Sequence, residues 1–324
     1  MKFVSRLVLG ALLIALIPAA ASATTLIDEN LNSAGDAASF TEVDGFDPNA
    51  GVDSQVIWGF DYSVLQGGTL GPAPGTGDAS TTGVRVTANR TLGITSAATL
   101  FHNTVVPANA RVQVDLYMGV TGTGGTTEFG TVGLGATGTS SFRIFDPIEG
   151  DGSYYTTTGD GGSSSDWRWS RPGTTVVGAP SVPVNSGSGR YLLGSTNAPF
   201  YNTCCGLVTD PVTGGIAGNG GNQWVTLDMI TNNGRTKIFI NGTIVVDAAS
   251  VGAADGTAEG GQAPGGFASF SYADVFGSVA SPGDSQFGIF DNFKVFTGSM
   301  IPEPTSMLLL GMGGLGLALV RRRR

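Results

Sequence analysis

A run of alternating apolar residues, broken by two Asn-Gly pairs, constrains the fold of this chain more than any other feature. Residues 224–230 and 235–240 flank Asn232-Asn233-Gly234, and Asn241-Gly242 leads into residues 243–247. Asn-Gly supplies the positive φ angles of a type I′ turn, the tight turn that joins two antiparallel strands. The pattern predicts a three-stranded antiparallel meander.

The same alternation recurs elsewhere in the chain. In residues 111–118 it predicts a strand with Val112, Val114, Leu116 and Met118 on one face. Shorter examples lie at residues 84–86, 142–144 and 287–289. Glycine makes up 52 of the 324 residues and is concentrated between these segments, as expected for turns. The sequence therefore predicts an all-β fold, with loops at residues 172–183 and 248–264.

The segment from Trp224 to Phe296 resembles concanavalin A-like (laminin-G-like) jelly rolls. The resemblance rests on the strand that Trp224 opens, on the Asn241-Gly242 hairpin and on Asp291-Asn292-Phe293 in a closing strand at 286–296. It implies a jelly-roll sandwich over residues 24–298, in which an opening strand at 26–31 pairs with the closing strand. A β-helix is the alternative for a chain rich in Gly and Thr, but no fixed short repeat is present.

Residues 1–23 have the pattern of a secretory signal peptide. Lys2 and Arg6 precede an apolar stretch at 7–20, and Ala21-Ser22-Ala23 supplies the small residues of a cleavage site. Cleavage after Ala23 would start the mature chain at Thr24. The alternative is a permanent N-terminal anchor.

Residues 299–324 form a tail with three parts in a fixed order. Pro302, Glu303 and Pro304 come first, an apolar run at 306–320 follows, and Arg321, Arg322, Arg323 and Arg324 end the chain. About 15 residues of helix span roughly 22 Å, less than the ~30 Å of a bilayer core. Bilayer thinning and extended arginine side chains make up such a difference. The arginines predict that the tail ends in the cytoplasm and that the domain lies across the membrane.

This tail resembles the PEP-CTERM sorting signal of Gram-negative bacteria. The resemblance implies recognition by exosortase, a membrane protease that cuts near the motif. It also implies passage through the inner membrane to the cell envelope, the cell surface or an extracellular matrix, often one that contains exopolysaccharide. With the signal peptide, it implies Sec export. A permanent tail anchor is the alternative reading.

The charge balance excludes one class of partner. Without Lys2, Arg6 and the four terminal arginines, ten of the 16 Lys and Arg residues stand against 25 acidic residues, a net charge of about −15. Nucleic-acid binding needs clustered Lys and Arg to contact phosphates, so no nucleic-acid partner is expected.

The chain has two cysteines, the neighbours Cys204 and Cys205, and so cannot build a framework of stapling disulfides. A vicinal disulfide in an oxidising compartment is the favoured reading. Bridges between molecules and two free thiols are the alternatives. The one histidine, His102, has no nucleophile motif near it and is predicted to be a structural or surface residue.

No paired-carboxylate strand of the kind used by glycanases on this fold is present in the sequence. Retaining hydrolysis needs two carboxyls ~5–5.5 Å apart. Glu128 stands alone on its strand, and Glu149-Gly150-Asp151 lies in a Gly-rich, loop-like stretch. The sequence therefore predicts a protein that is not an enzyme, with a secreted glycan-active enzyme as the alternative.

Clustered aromatic residues are the candidates for carbohydrate binding. They lie in polar, Gly-rich stretches predicted to be loops: Tyr154, Tyr155, Trp167, Trp169 and Tyr201. Tyr and Trp combine an apolar face with a polar group, which suits stacking against a sugar ring. In a strand, Trp167 and Trp169 would share one face. The alternative is that these side chains pack in the core.

Calcium is the candidate metal, because it prefers oxygen ligands such as Asp and Asn. Asp151 and Asp160 lie near the aromatic cluster, and Asp291 lies in the closing strand, where the resemblance implies a structural calcium in some relatives. The spacing matches no known calcium loop, and solvated acids are the alternative. Together these features predict an exported protein with a structural or polysaccharide-binding role.

Overall fold

The structure is a computed structural model. It describes residues 23–45, 53–77, 79–91, 93, 95–119, 127–142, 152–159, 167–170, 182–183, 208–209, 216–217, 221–249, 265–275 and 285–298. The strands of these residues, in chain order, are β1 (Thr24–Glu29), β2 (Phe40–Gly45), β3 (Gln55–Asp61), β4 (Thr82–Thr87), β5 (Ser96–Val106), β6 (Ala110–Gly119), β7 (Glu128–Ala136), β8 (Ser153–Thr157), β9 (Trp167–Ser170), β10 (Val182–Pro183), β11 (Val208–Thr209), β12 (Ile216–Ala217), β13 (Trp224–Asn232), β14 (Arg235–Ile240), β15 (Thr243–Ala249), β16 (Gly266–Asp274) and β17 (Phe287–Thr297). Short 3₁₀ turns lie at Ala34–Ser39 and Tyr62–Val64.

Two antiparallel sheets pack face to face as an all-β sandwich. The larger, eight-stranded sheet has the order β15-β14-β13-β6-β17-β4-β3, and β1 also pairs with β17. The smaller, seven-stranded sheet has the order β10-β9-β8-β7-β16-β5-β2, and β11 pairs with β12 separately. Neighbours along both orders run antiparallel. This arrangement excludes a β-helix and confirms that the opening strand pairs with the closing one.

The predicted meander is present as β13, β14 and β15. Both turns have positive φ at both central residues: 49° and 77° at Asn233-Gly234, and 48° and 75° at Asn241-Gly242. These values are those of the predicted type I′ turns. The third strand extends to Ala249 because Ala248 and Ala249 pair with Thr236 and Arg235, so the predicted loop begins later than residue 248.

Two other predicted boundaries are wrong for similar reasons. Val182 and Pro183, predicted to be in a loop, form β10 by pairing with Trp169 and Arg168 of β9. Phe142, predicted to open a strand, is not in one: its N–H donates to Thr99 Oγ1 at 3.0 Å and its ring stacks on Tyr154. Contacts with residues outside each segment decide these positions, and a local pattern does not contain that information.

The main core lies between the sheets. The predicted inward residues of β6, which are Val112, Val114, Leu116 and Met118, are buried in it with Phe270 and Phe293 from β16 and β17. Alternation therefore places Arg111, Gln113, Asp115 and Tyr117 on the other face of β6. We call that side of the larger sheet its outer face.

No helix among the described residues is long and apolar enough to span a membrane. The predicted membrane segment at 306–320 and residues 1–22 of the predicted signal peptide lie outside the described part of the chain. Contacts group Thr25–Thr297 into one compact unit.

Candidate functional site: the outer face of the larger sheet

Residues 61–77, which we call the strap, divide the outer face in two. The strap lies over the part formed by Asp115, Tyr117, Trp224 and Asp291, which we call the covered half. At the other end of the same strands, the outer face carries Arg111, Asp228, Arg235, Lys237, Phe239, Lys294 and Phe296, which we call the open half. The two halves have different chemistry.

Two carboxylates lie side by side in the covered half. Asp115 on β6 and Asp291 on β17 are register partners, and their residues are 1% and 0% exposed. A β-bulge follows Asp291, with φ of 52° at Asn292. The extra residue keeps Asp291 on the outer face and Phe293 in the core. Pairing of two distant strands thus creates a pair of carboxylates that neither strand contains alone.

Hydrogen bonds from the strap and the sheet converge on Asp115. Its Oδ2 accepts from the Gly75 N–H at 2.6 Å and from Asn292 Nδ2 at 3.0 Å, and its Oδ1 accepts from Thr226 Oγ1 at 2.6 Å. Burial raises the pKa of Asp115, while the bonds from Thr226, Gly75 and Asn292 lower it. Both carboxylate oxygens are therefore occupied by protein donors.

Asp291 is held in the same way from the other end of the strap. The Tyr62 hydroxyl donates to Asp291 Oδ2 at 2.9 Å and accepts from the Ala73 N–H at 3.2 Å, and the Asn292 N–H donates to Oδ1 at 2.7 Å. Burial and the Asp291 charge raise the pKa of Tyr62. The phenol therefore stays protonated and acts as a link between strap and sheet.

An aromatic cluster completes the covered half. The Trp224 ring meets Tyr62 and Tyr117 edge-on, with centroids 5.0 and 5.8 Å apart, and its Nε1 donates to Gly71 O at 3.1 Å. Gln66 Nε2 donates to the Tyr117 hydroxyl at 3.1 Å and to Asn222 O at 2.6 Å. These contacts fix the strap along its length.

The calcium role of Asp291 stays a prediction, and hydrogen bonds from the protein compete with it. The two Asp291 oxygens accept from a phenol and a backbone N–H, and calcium requires oxygens turned toward the ion. An ion at Oδ2 would compete with the Tyr62 hydroxyl of the strap, and one at Oδ1 with the Asn292 N–H of β17. In the described part of the chain, no group of three or more His, Cys, Asp or Glu side chains is arranged to hold a metal.

The open half is built around an ion pair. Arg111 Nε lies 2.9 Å from Asp228 Oδ1, and Arg111 Nη2 lies 2.6 Å from Oδ2, a bidentate geometry. The Arg111 guanidinium also lies 5.3 Å from the centroid of the Phe296 ring. Burial raises the pKa of Asp228, and its hydrogen bonds and charge interaction with Arg111 oppose this shift. The Arg111 side chain remains 31% exposed.

Further cations lie on the same sheet face as this pair. Lys294 on β17 bridges Asp28 at 3.2 Å, with 30% of its side chain exposed. Arg235 is exposed and Lys237 half-buried on β14, and Phe239 and Phe296 are half-buried. Planar hydrogen-bonding groups beside partly exposed rings can hold a sugar, because hydroxyls bind the polar groups and C–H edges contact the ring. Such a surface can bind a ligand across several strands.

A second group of buried carboxylates lies between the sheets at one end of the sandwich. Glu128 of β7 and Ser96 of β5 are both register partners of Asp274 of β16. Asp274 lies two positions after the core residue Tyr272, so alternation places all three side chains on the inner face. Thr127 Oγ1 donates to Asp274 Oδ1 at 2.6 Å. Burial raises the pKa of Asp274 to about 7, opposed by bonds from Thr127 and Asn89 and increased further by Asp53.

The aromatic residues predicted to bind a sugar lie in strands, where loops were expected. Tyr154, Tyr155, Trp167 and Trp169 lie in strands β8 and β9 and not in loops. Tyr154, Tyr155 and Trp169 are 0% exposed, and Trp169 Nε1 donates to Ser153 Oγ at 2.8 Å. Tyr155 and Trp169 pack between the sheets, whereas Tyr154 packs with Phe142 on the opposite face. These three rings therefore pack in the core, which was the alternative reading of the sequence, and none of them exposes a face to a sugar.

Most of the other predicted residues lie outside the described part of the chain. Ala23 is exposed and directly precedes β1. Tyr201, Asp151, Asp160, Cys204, Cys205, Pro302, Glu303, Pro304 and Arg321 to Arg324 lie outside the described residues. His102 is 6% exposed, stacks on Phe293 at 6.2 Å and lies 3.3 Å from Glu29, which confirms its structural role.

Sequence reasoning missed Asp115, Asp228 and Tyr62. The alternation in β6 placed Asp115 outward, but a search along single strands could not pair it with Asp291, which lies 176 positions later. Asp228 has the same kind of signal, because it alternates with the core residues Leu227 and Met229 in β13. Tyr62 lies in a 3₁₀ turn that carries no periodic pattern.

Residues 301–324 match the family model described as the PEP-CTERM protein-sorting motif. Fold and motif together define an all-β sandwich protein with a C-terminal sorting signal. The motif implies export involving exosortase, passage across a membrane and sorting to the cell envelope. No curated protein matches the chain in sequence.

Several solved structures are similar to the chain. A protein of unknown function with a galectin-like fold from Bacillus subtilis is 10% identical, with 86% of this chain and 98% of that chain covered and a TM-score of 0.46. A β-1,3-glucanase from Mycobacterium marinum is 10% identical, with 85% and 99% covered and a TM-score of 0.39. The exoplasmic/lumenal domain of VIP36, in a Ca2+/Man-bound form, is 11% identical, with 69% and 81% covered and a TM-score of 0.35.

Proposed function

We propose that this chain is a Sec-exported protein of a Gram-negative bacterium, cut by exosortase near Pro302-Glu303-Pro304. Its domain, a concanavalin A-like jelly roll, then serves in the envelope or extracellular matrix by binding polysaccharide without modifying it. The sorting part of this proposal is supported by the motif at 301–324, which follows the closing strand β17 after residues 298–300.

The sorting proposal is tested by removing the four terminal arginines. Loss of the cytoplasmic charges should leave the tail unable to hold its orientation, because positive residues fix the cytoplasmic end of a membrane segment. We expect the truncated protein to stay unprocessed, which a mass measurement of the C-terminus would detect. Unchanged processing and location would contradict the proposal.

One observation supports polysaccharide binding: the Arg111–Asp228 ion pair beside the half-buried Phe296 ring on a sheet face that the strap leaves uncovered. Arg and Asp supply donors and acceptors for hydroxyl groups, and the ring supplies an apolar surface. The pair is already ordered by its bidentate geometry, so little side-chain freedom is lost on binding.

Binding is tested with the full-length protein in detergent against a panel of immobilised polysaccharides. The double substitution Arg111→Ala/Asp228→Ala removes both charges together and leaves neither one unpaired. We expect it to abolish binding, and we expect Gln55→Ala, an exposed change on edge strand β3, to have no effect. Each measurement is made with calcium and with chelator. Binding that survives the double substitution would exclude this surface.

A secreted glycan-active enzyme is the alternative, and the adjacent carboxylates Asp115 and Asp291 favour it, because glycoside hydrolysis uses two carboxyls. We propose a non-enzymatic role, since both groups accept hydrogen bonds under the strap. Release of reducing sugar by the wild-type protein, lost in Asp291→Asn, would establish the enzyme instead.

A further inference from the structure

The basic residues of this acidic chain are unevenly distributed. Ten Lys and Arg residues lie outside the two predicted terminal signals. Four of these ten belong to the open half, which covers part of one sheet face: Arg111, Arg235, Lys237 and Lys294. Core packing does not explain this grouping, because all four side chains lie on the outer face and are exposed or half-buried.

Acidic residues offset part of this charge. Asp228 pairs with Arg111, Asp28 pairs with Lys294, and Asp247 is the register partner of Lys237. The open half nevertheless differs strongly in charge from the rest of the molecule. The remaining 22 of the 25 acidic residues stand against six Lys and Arg residues outside the open half. An anionic polymer is therefore repelled by most of the surface and meets a balanced or positive potential here.

Two of these cations, Arg111 and Lys237, lie in one row across the strands. Phe296 of β17, Arg111 of β6, Ile230 of β13 and Lys237 of β14 are successive register partners. Neighbouring strands lie about 4.8 Å apart, so the row spans roughly 14 Å, with Arg111 and Lys237 about 10 Å apart. Arg235 lies two positions from Lys237 on the same face. These positions are close enough together for one extended chain lying across the strands to reach all of them.

We propose that the open half binds an acidic polysaccharide, with Arg235 and Lys237 contacting its anionic groups and Arg111 and Phe296 contacting its sugar rings. This inference rests on the proposed polysaccharide-binding function and names the ligand class. The polymer lies across the strands, because the register partners run from Phe296 of β17 to Lys237 of β14.

The test compares two polymers with the same sugar backbone, one with free carboxylates and one with these groups capped as uncharged methyl esters. Full-length protein in detergent is titrated with polygalacturonate and with its fully methyl-esterified form, at low and at physiological salt. We expect the charged polymer to bind at least about tenfold more tightly, equivalent to roughly 1.4 kcal/mol. We also expect its affinity to fall as salt rises, because salt screens exposed charges.

Two variants locate the effect. Arg235→Ala/Lys237→Ala should remove the preference for the charged polymer, whereas Arg235→Lys/Lys237→Arg keeps both charges and should retain it. The exposed position of Arg235 and the half-buried position of Lys237 leave the fold intact, which a thermal melt of each variant checks.

The outcomes separate this inference from the function on which it rests. Equal, salt-independent binding of both polymers would overturn the acidic class and leave polysaccharide binding in place. Binding of neither polymer, nor of any member of the neutral panel, would overturn both. Preferential binding that survives Arg235→Ala/Lys237→Ala would overturn the assignment to the open half.

Discussion

The covered and open halves of the outer face use similar residues for opposite purposes. In the covered half, Asp115 and Asp291 are almost fully buried and accept bonds from Gly75 and Tyr62 of the strap. In the open half, Asp228 is held by Arg111, which remains 31% exposed. A carboxylate enclosed by neutral donors stabilises the fold, whereas one paired with a solvent-accessible cation remains able to bind a ligand.

The difference follows from the cost of burying polar groups. A buried group without a partner costs about 1–3 kcal/mol, so the covered half tolerates no loss of a donor or acceptor. The Arg111–Asp228 pair is only partly buried, and 31% of the Arg111 side chain is exposed, so water can solvate the cation that a lost partner would leave. Mutations should therefore reduce stability in the covered half and reduce binding in the open half.

The largest expected effect comes from Asp115→Ala. It leaves the Gly75 N–H, the Thr226 hydroxyl and the Asn292 amide without their common acceptor. We expect the free energy of unfolding to fall by about 3–5 kcal/mol, measured by urea denaturation. The matched change Asp228→Ala should cost less than half as much. Equal losses would contradict the division into two halves.

The pH dependence of stability is the next largest effect, and it comes from outside both halves. The folded-state pKa of Asp274 is about 7, above its unfolded value of ~3.9, so the folded state holds the proton more tightly. The free energy of unfolding should therefore fall as pH rises from 4 to 8, by up to roughly 4 kcal/mol. Asp274→Asn should remove the Asp274 part of this slope and leave the part that comes from Glu42. A slope unchanged in Asp274→Asn would assign it to other carboxyls, with Glu42 the next to test, because burial and the neighbouring Asp44 raise its pKa to about 7.

Gly75→Ala tests the fit of the strap directly. A Cβ at Gly75 would lie 2.7 Å from Asp115 Oδ2 and 3.2 Å from Asn292 Cβ, whereas one at Gly71 meets nothing within 4 Å. We expect Gly75→Ala to destabilise the protein by about 1–3 kcal/mol. Gly71→Ala in the same strap should be close to neutral. A destabilising Gly71→Ala would show that strap flexibility, and not contact with Asp115, sets the cost.

Lys294→Ala should have the smallest effect on stability. Its bridge to Asp28 at 3.2 Å lies at the surface, where Asp28 is 60% exposed. The expected loss is below about 1 kcal/mol and should shrink further in high salt. A larger, salt-independent loss would mean that the open half also contributes to the fold.

The sequence predicted the sandwich better than it predicted the site. Alternation and Asn-Gly turns located β6 and the β13–β15 meander, because those signals are local. The same reasoning placed Tyr154 and Trp169 in loops, because their Gly-rich neighbours hid the pairing of β8 with β7 and β9. Burial of those two rings is decided by strands far away in the chain.

What the sequence determined by itself is the strand pattern, the turn geometry and the motif at 301–324, each of which depends on residues within a few positions of one another. Only the tertiary structure decided that Asp115 meets Asp291, that the strap covers them, and that Arg111, Lys237 and Lys294 share the open half. Strand order in a sheet is a long-range property, because it depends on which distant strands pair and in which register.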